Sequence, residues 1–139
     1  MTRINLIDPQ ELTDQHLNAE RREIRLLCAN LKRTLNSKSG FVEKKVPAQF
    51  TLNAGHCYFF YNKGKYLQKR YESLTQEMLR RNFNPDLSLH FPSDVWPPSQ
   101  FKDWQPSERD KNVVRERIAL RISERPGWYR KCGELIDDA

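Results

Sequence analysis

A threonine directly behind the initiator methionine, and an arginine directly behind that, open the chain MTRINL. A Met followed by so small a residue is normally trimmed, so the mature chain is expected to begin at Thr2 with a free α-amine. Such an amine has a reference pKa of about 7.7–8.0, against about 10.4 for a lysine. At neutral pH a useful share of it is unprotonated and able to attack an electrophilic carbon. A second group of reactive types follows. His16, Glu20 and Glu23 fall within roughly 60° of one another at about 100° per helical residue. They lie beside an apolar stripe, where a carboxylate is partly desolvated unless a cation pairs with it. The run RREIR, with Arg21, Arg22 and Arg25, supplies such cations. Two readings stand open here: a carboxylate that handles protons or charge, or a solvated helix whose Glu20 and Glu23 sit in ordinary salt bridges.

Three helices would have to position these groups. The first follows DPQELTDQHL, where Thr13 is a capping residue, and Leu17, Ile24, Leu27, Cys28, Leu31 and Leu35 recur at helical spacing. Asn36-Ser37 and Ser39-Gly40 end it. The second is expected over residues 63–81, with Leu67, Tyr71, Leu74 and Met78 on one face and Asn84-Pro85 as the breaker. The third starts at Ser107, which forms a capping box with Asp110; Val114, Ile118 and Ile122 make its stripe and Pro126 closes it. Between the second and third lies a long stretch rich in proline and aromatics. Phe91, Trp96, Phe101 and Trp104 give it enough apolar surface to pack down. The expected fold is all-α: a single domain over residues 1–139, with three main helices and long ordered connections.

Twenty-four Lys and Arg against eighteen Asp and Glu give a net charge of +6. The first 133 residues hold all 24 bases and 15 of the 18 acids, a net +9, and the remainder, ELIDDA, is an acidic end that reads as solvated or as a mild autoinhibitory mimic of phosphate. A polyanion is the natural partner of such a chain. Its longest apolar run is CYFFY, far short of the roughly 20 residues needed to cross a bilayer. With no secretory signal in view, a soluble intracellular protein is expected. Three cysteines without CxxC spacing and histidines at 16, 56 and 90 assemble no zinc motif. His56 reads as a core or hydrogen-bonding histidine. Walker, GxGxxG, HExxH and GxSxG signatures are missing.

Several blocks in order, MTRINL, TDQHLNAE followed by RRE, AGHCYFFYNK, LQKR and RPGWY-x-x-x-G, resemble the pyrimidine-dimer DNA glycosylase/AP lyase family. The resemblance implies that Thr2 is the nucleophile through its α-amine, and that Glu23 is the catalytic carboxylate. It implies that Arg3, His16, Arg22, Arg25, Arg117 and Arg121 line or contact DNA, with Arg25 standing one residue before the family's usual arginine. Trp128 and Tyr129 are implied in recognising the lesion. The partner would be double-stranded DNA carrying UV damage or abasic sites, with no membrane, no metal and no cofactor. The protein is expected to be a cytoplasmic monomer, at the bacterial nucleoid or in a phage-infected host cell. Against the family pattern, Arg21 stands where a tyrosine is expected, Leu26 where an arginine is expected, and Lys131 and Cys132 where aromatics are expected. Two other readings stand beside it: the same imine chemistry on another damaged base or on abasic sites alone, and a non-catalytic basic helical module that binds nucleic acid. A metal-dependent nuclease built on His56 is a third.

Overall fold

Thr13 starts the first long helix by accepting the His16 N–H on its hydroxyl at 3.0 Å. The computed structural model describes residues 3–136; Thr2, Asp137 and Asp138 lie outside the described residues. Helix α1 (Asp14–Leu35) buries Leu17, Ile24, Leu27, Cys28 and Leu31 along one stripe, as their spacing requires. A one-turn helix α2 (His56–Phe59) follows a long connection. Its aromatics build a dense knot in which Phe59 and Trp104 meet edge to face at 5.1 Å. Helix α3 (Gly64–Arg80) packs on α1 through Leu67, Tyr71, Leu74 and Met78. Truncating a fully buried leucine such as Leu74 to alanine would cost about 2–5 kcal/mol.

Helix α4 (Glu108–Glu124) carries the capping box expected of it: Ser107 and Asp110 bond reciprocally. Val114 and Ile118 enter the core and Ile122 packs half-buried at its edge. The aromatic stretch before α4 is glued down. Phe91 and Trp96 are buried, and Phe101 and Trp104 pack against the same cluster. Gly64 permits this, since a Cβ there would lie 2.6 Å from the Trp96 ring. All-α is therefore the right class; besides short 3-10 turns, the described residues add two elements that the apolar periodicity did not show. One is α2. The other is a hairpin of β1 (Arg130–Lys131) and β2 (Glu134–Leu135), paired antiparallel as Arg130 with Leu135 and Lys131 with Glu134. Its turn uses Cys132 and Gly133 with φ of 52° and 83°, the left-handed pair that suits a two-residue hairpin. Among the described residues no helix is long and apolar enough to cross a membrane.

The polar interior corrects the expectation for Glu20. It is neither at the edge of the core nor solvated, but fully buried at 0% exposure. Arg70 of α3 grips it with two bonds, Nε to Oε2 at 2.7 Å and Nη2 to Oε1 at 3.1 Å. The RREIR cations are not its partners. Arg21 is itself structural: it donates to Thr75 Oγ1 at 2.8 Å and to the Asp86 carbonyl at 3.1 Å, and covers the Tyr71 ring. A bidentate guanidinium satisfies a buried carboxylate well, and removing one partner leaves a bare charge. Arg70 also donates to the Ile7 carbonyl, so the same pair holds the N-terminal segment.

Candidate functional site

The first described residues are stitched in rather than frayed. Ile4, Leu6 and Ile7 are buried. The Ile4 N–H donates to His56 Nε2 at 3.0 Å, while Arg3 Nε donates to the Leu52 carbonyl at 2.8 Å. Leu6 has φ of 56°, a conformation costly for a leucine and kept only where surrounding contacts over-determine it. His56 has both ring nitrogens in use, because Nδ1 bonds the Thr51 carbonyl at 2.7 Å. A nitrogen bonded to a carbonyl must carry the proton, and one that accepts an N–H must lack it. The ring is therefore a neutral Nδ1–H tautomer. Burial pushes its pKa down to about 4, and the charges of Arg3 and Arg117 add to that. It offers no lone pair to a metal, which removes the nuclease reading.

This stitching brings Arg3 and Asn5 against α4 and the C-terminal segment. Together with His16, Arg117, Arg121 and Tyr129 they wall a cleft of about 230 Å³. Residues separated by more than a hundred positions in sequence thus share one wall. Burial pushes the His16 pKa down to about 4, helped by the charges of Arg117 and Arg121. The imidazole is therefore neutral at pH 7. Its Nδ1 shares a hydrogen bond of 2.6 Å with Thr13 Oγ1. Its ring lies flat on Tyr129, centroids 5.0 Å apart and planes within 7°. Arg117 is held below the usual guanidinium range by partial burial and by the like charges of Arg121 and Arg3. It remains a cation. Three arginines crowded together, with Arg3 Nη1 buried and lacking a partner among the described residues, make a surface that an anion would relieve. Glu124 offsets part of it through Arg121, 3.3 Å away.

Asn5 was missed from sequence. It is 2% exposed, lines the cleft, and its Nδ2 has no partner among the described residues. A buried unsatisfied amide is costly in a folded chain. Its place in MTRINL, within the quoted block, was the only signal.

Glu23 lies seven residues beyond His16 on α1, which is about 20° away in azimuth and about 10.5 Å along the axis. It is half-buried and stands beyond the walls of the cleft. Its carboxylate is felt at Cys57, whose thiol is pushed up first by burial; Arg3 pulls it down and Glu23 pushes it up. Glu23 and Arg3 thus act on one spot. Arg22 is exposed beside Glu23. Arg25 sits about 160° round the helix from Glu23. It is half-buried, with Nε lacking a partner among the described residues, and its charge is felt with that of Arg21 at Asp86. The structure does not bring it to the cleft. Trp128 is 48% exposed next to Tyr129, its indole backed by the Arg125 guanidinium 4.1 Å from the ring centroid.

The cleft therefore joins a basic surface to the stacked rings of His16 and Tyr129, with Glu23 further along α1. The family model for pyrimidine dimer DNA glycosylase matches residues 1–91. That span includes Arg3, Asn5, His16, Arg22, Glu23 and His56, and Arg117, Arg121 and Tyr129 complete the cleft from outside it. With the match covering more than half of its 139 residues, the chain belongs to the pyrimidine dimer DNA glycosylase family.

Proposed function

We propose that this chain is a DNA glycosylase and abasic-site lyase that uses the Thr2 α-amine as its nucleophile. The observation that carries the reading is the gathering of Arg3, His16, Arg117, Arg121 and Tyr129 around one cleft, with residue 2 bonded directly to Arg3. The cations of the cleft hold phosphates of a strand whose damaged nucleotide is drawn toward the amine.

The amine nitrogen attacks C1′ of the 5′ pyrimidine nucleotide of a cyclobutane dimer. The bond from C1′ to the base breaks, and its electron pair leaves with the base. Positive charge builds on the sugar as this happens, and Glu23 stabilises it as a carboxylate does in glycoside cleavage. Loss of the amine proton and opening of the C1′–O4′ bond give an imine. That imine acidifies C2′. Glu23, or a water it holds, takes a C2′ proton, and the C3′–O bond breaks with departure of the 3′ phosphate. Water then hydrolyses the imine and frees the amine. Reaching a glycosidic bond inside a duplex requires distortion of the helix, and the basic cleft supplies binding energy against that cost.

Borohydride trapping tests the reading. Incubation with abasic duplex and with dimer-bearing duplex should give a covalent protein–DNA complex in both cases, because the reagent reduces an imine. Trapping on abasic DNA alone would confine the activity to lyase chemistry. Cleavage without any trapping would exclude the amine.

A further inference from the structure

The segment that carries Trp128 and Tyr129 has almost no core of its own. From 128 to 136 every residue is exposed except Tyr129 and Ile136, which are half-buried. Apolar burial cannot hold such a stretch in one place. Two consecutive side chains in the first turn of α1 hold it instead. Asp14 accepts the N–H of Cys132 at 2.9 Å and that of Gly133 at 2.8 Å. Gln15 does something more specific. Its Nε2 donates to the Trp128 carbonyl at 2.7 Å, and its Oε1 accepts the Arg130 N–H at 3.0 Å.

A carboxamide has the shape of a peptide group. By bonding the carbonyl before Tyr129 and the N–H after it, Gln15 pairs with the segment as a neighbouring strand would. Tyr129 is thereby fixed from both sides of its own backbone, and its ring is laid on His16, the next residue of α1. The Trp128 backbone is fixed by the same bond.

We propose that Gln15 is a positioning residue: its side-chain amide brackets Tyr129 and sets Trp128 and Tyr129 as the aromatic wall that discriminates dimer-bearing from merely abasic DNA. The inference rests on the proposed function together with the family resemblance, which implies that those aromatics recognise the lesion. Gln15 acts through them. An abasic site has no base for an aromatic wall to read, so misplacing the wall weakens one substrate more than the other.

The test compares kcat/KM on a duplex with one dimer and on the same duplex with one abasic site. Gln15→Ala should lower the dimer-to-abasic ratio by about tenfold, the scale of two lost hydrogen bonds. Gln15→Glu keeps the acceptor for Arg130 and loses the donor to Trp128, so it should fall between. In a Trp128→Ala/Tyr129→Ala background the Gln15→Ala substitution should change the ratio no further. Hydrogen exchange at the Arg130 amide should quicken in Gln15→Ala, a readout independent of activity. An unchanged ratio in a folded Gln15→Ala protein that shows the faster exchange overturns the inference, as does a full additional loss in the double-alanine background. If the unsubstituted chain fails to cleave dimer DNA, the proposed function falls and takes this inference with it.

Discussion

His56 Nε2 accepts the backbone N–H of Ile4 at 3.0 Å, so a histidine of the aromatic knot holds the chain two residues after Thr2. The bond exists only while the imidazole is neutral. Burial keeps it so by pushing the pKa to about 4.

That linkage gives a pH dependence with a definite sign. His16 and His56 both have folded pKa values pushed down to about 4, while an unfolded histidine titrates near about 6.5. Between those values the unfolded chain binds protons that the folded chain does not. Stability from these two groups is complete above about pH 6.5 and drains as pH falls toward about 4. The melting temperature should drop across that window, and His56→Gln should make the drop shallower. A melting temperature that is flat from pH 6.5 to 4 would contradict the neutral assignment.

Two glutamates three residues apart on α1 should respond oppositely to the same change. Glu20→Gln strands Arg70 in the core, at a cost of about 3–5 kcal/mol in urea unfolding. Its effect on catalysis should follow from lost folding.

Glu23→Gln, on the half-buried neighbour, should leave stability within about 0.5 kcal/mol. It should reduce strand cleavage by about 100-fold or more with DNA binding intact, as measured by gel shift. Glu23→Asp, about one methylene shorter, should also be impaired.

Arg117 shares the cleft with Arg3 and Arg121, whose like charges act on it. Arg117→Gln should weaken binding to damaged and undamaged duplex alike. It should also make the plot of log affinity against log salt shallower by about one unit, the amount expected for one phosphate contact. An unchanged slope places Arg117 off the DNA.

Periodicity carried the helices because their faces are buried. The stripes through Leu17 and Leu31, Leu67 and Met78, and Val114 and Ile118 all face the core, and Thr13 and Ser107 cap where they should. The α2 turn escaped because one turn has no period to read. The hairpin escaped because its strands bury nothing and depend on Asp14 and Gln15, residues far off in sequence. Glu20 and Glu23 look alike on a helical wheel. What separates them is Arg70, fifty positions away, which no local pattern announces. The cleft residues were not legible through charge alone, since the basic run Arg21, Arg22 and Arg25 supplies none of its walls.

Mass mapping of the borohydride-reduced complex is the decisive measurement, because a rival amine exists. Burial, with Lys102 adding to it, lowers the pKa of Lys63 to about 8, although its Nζ already donates to the Phe59 carbonyl at 2.8 Å and Asn62 Oδ1 at 2.9 Å. Digestion of the trapped complex should place the sugar remnant on the α-nitrogen of the peptide that begins at Thr2. A remnant on Lys63 or another lysine, or undiminished trapping after the α-amine has been acetylated, would contradict it.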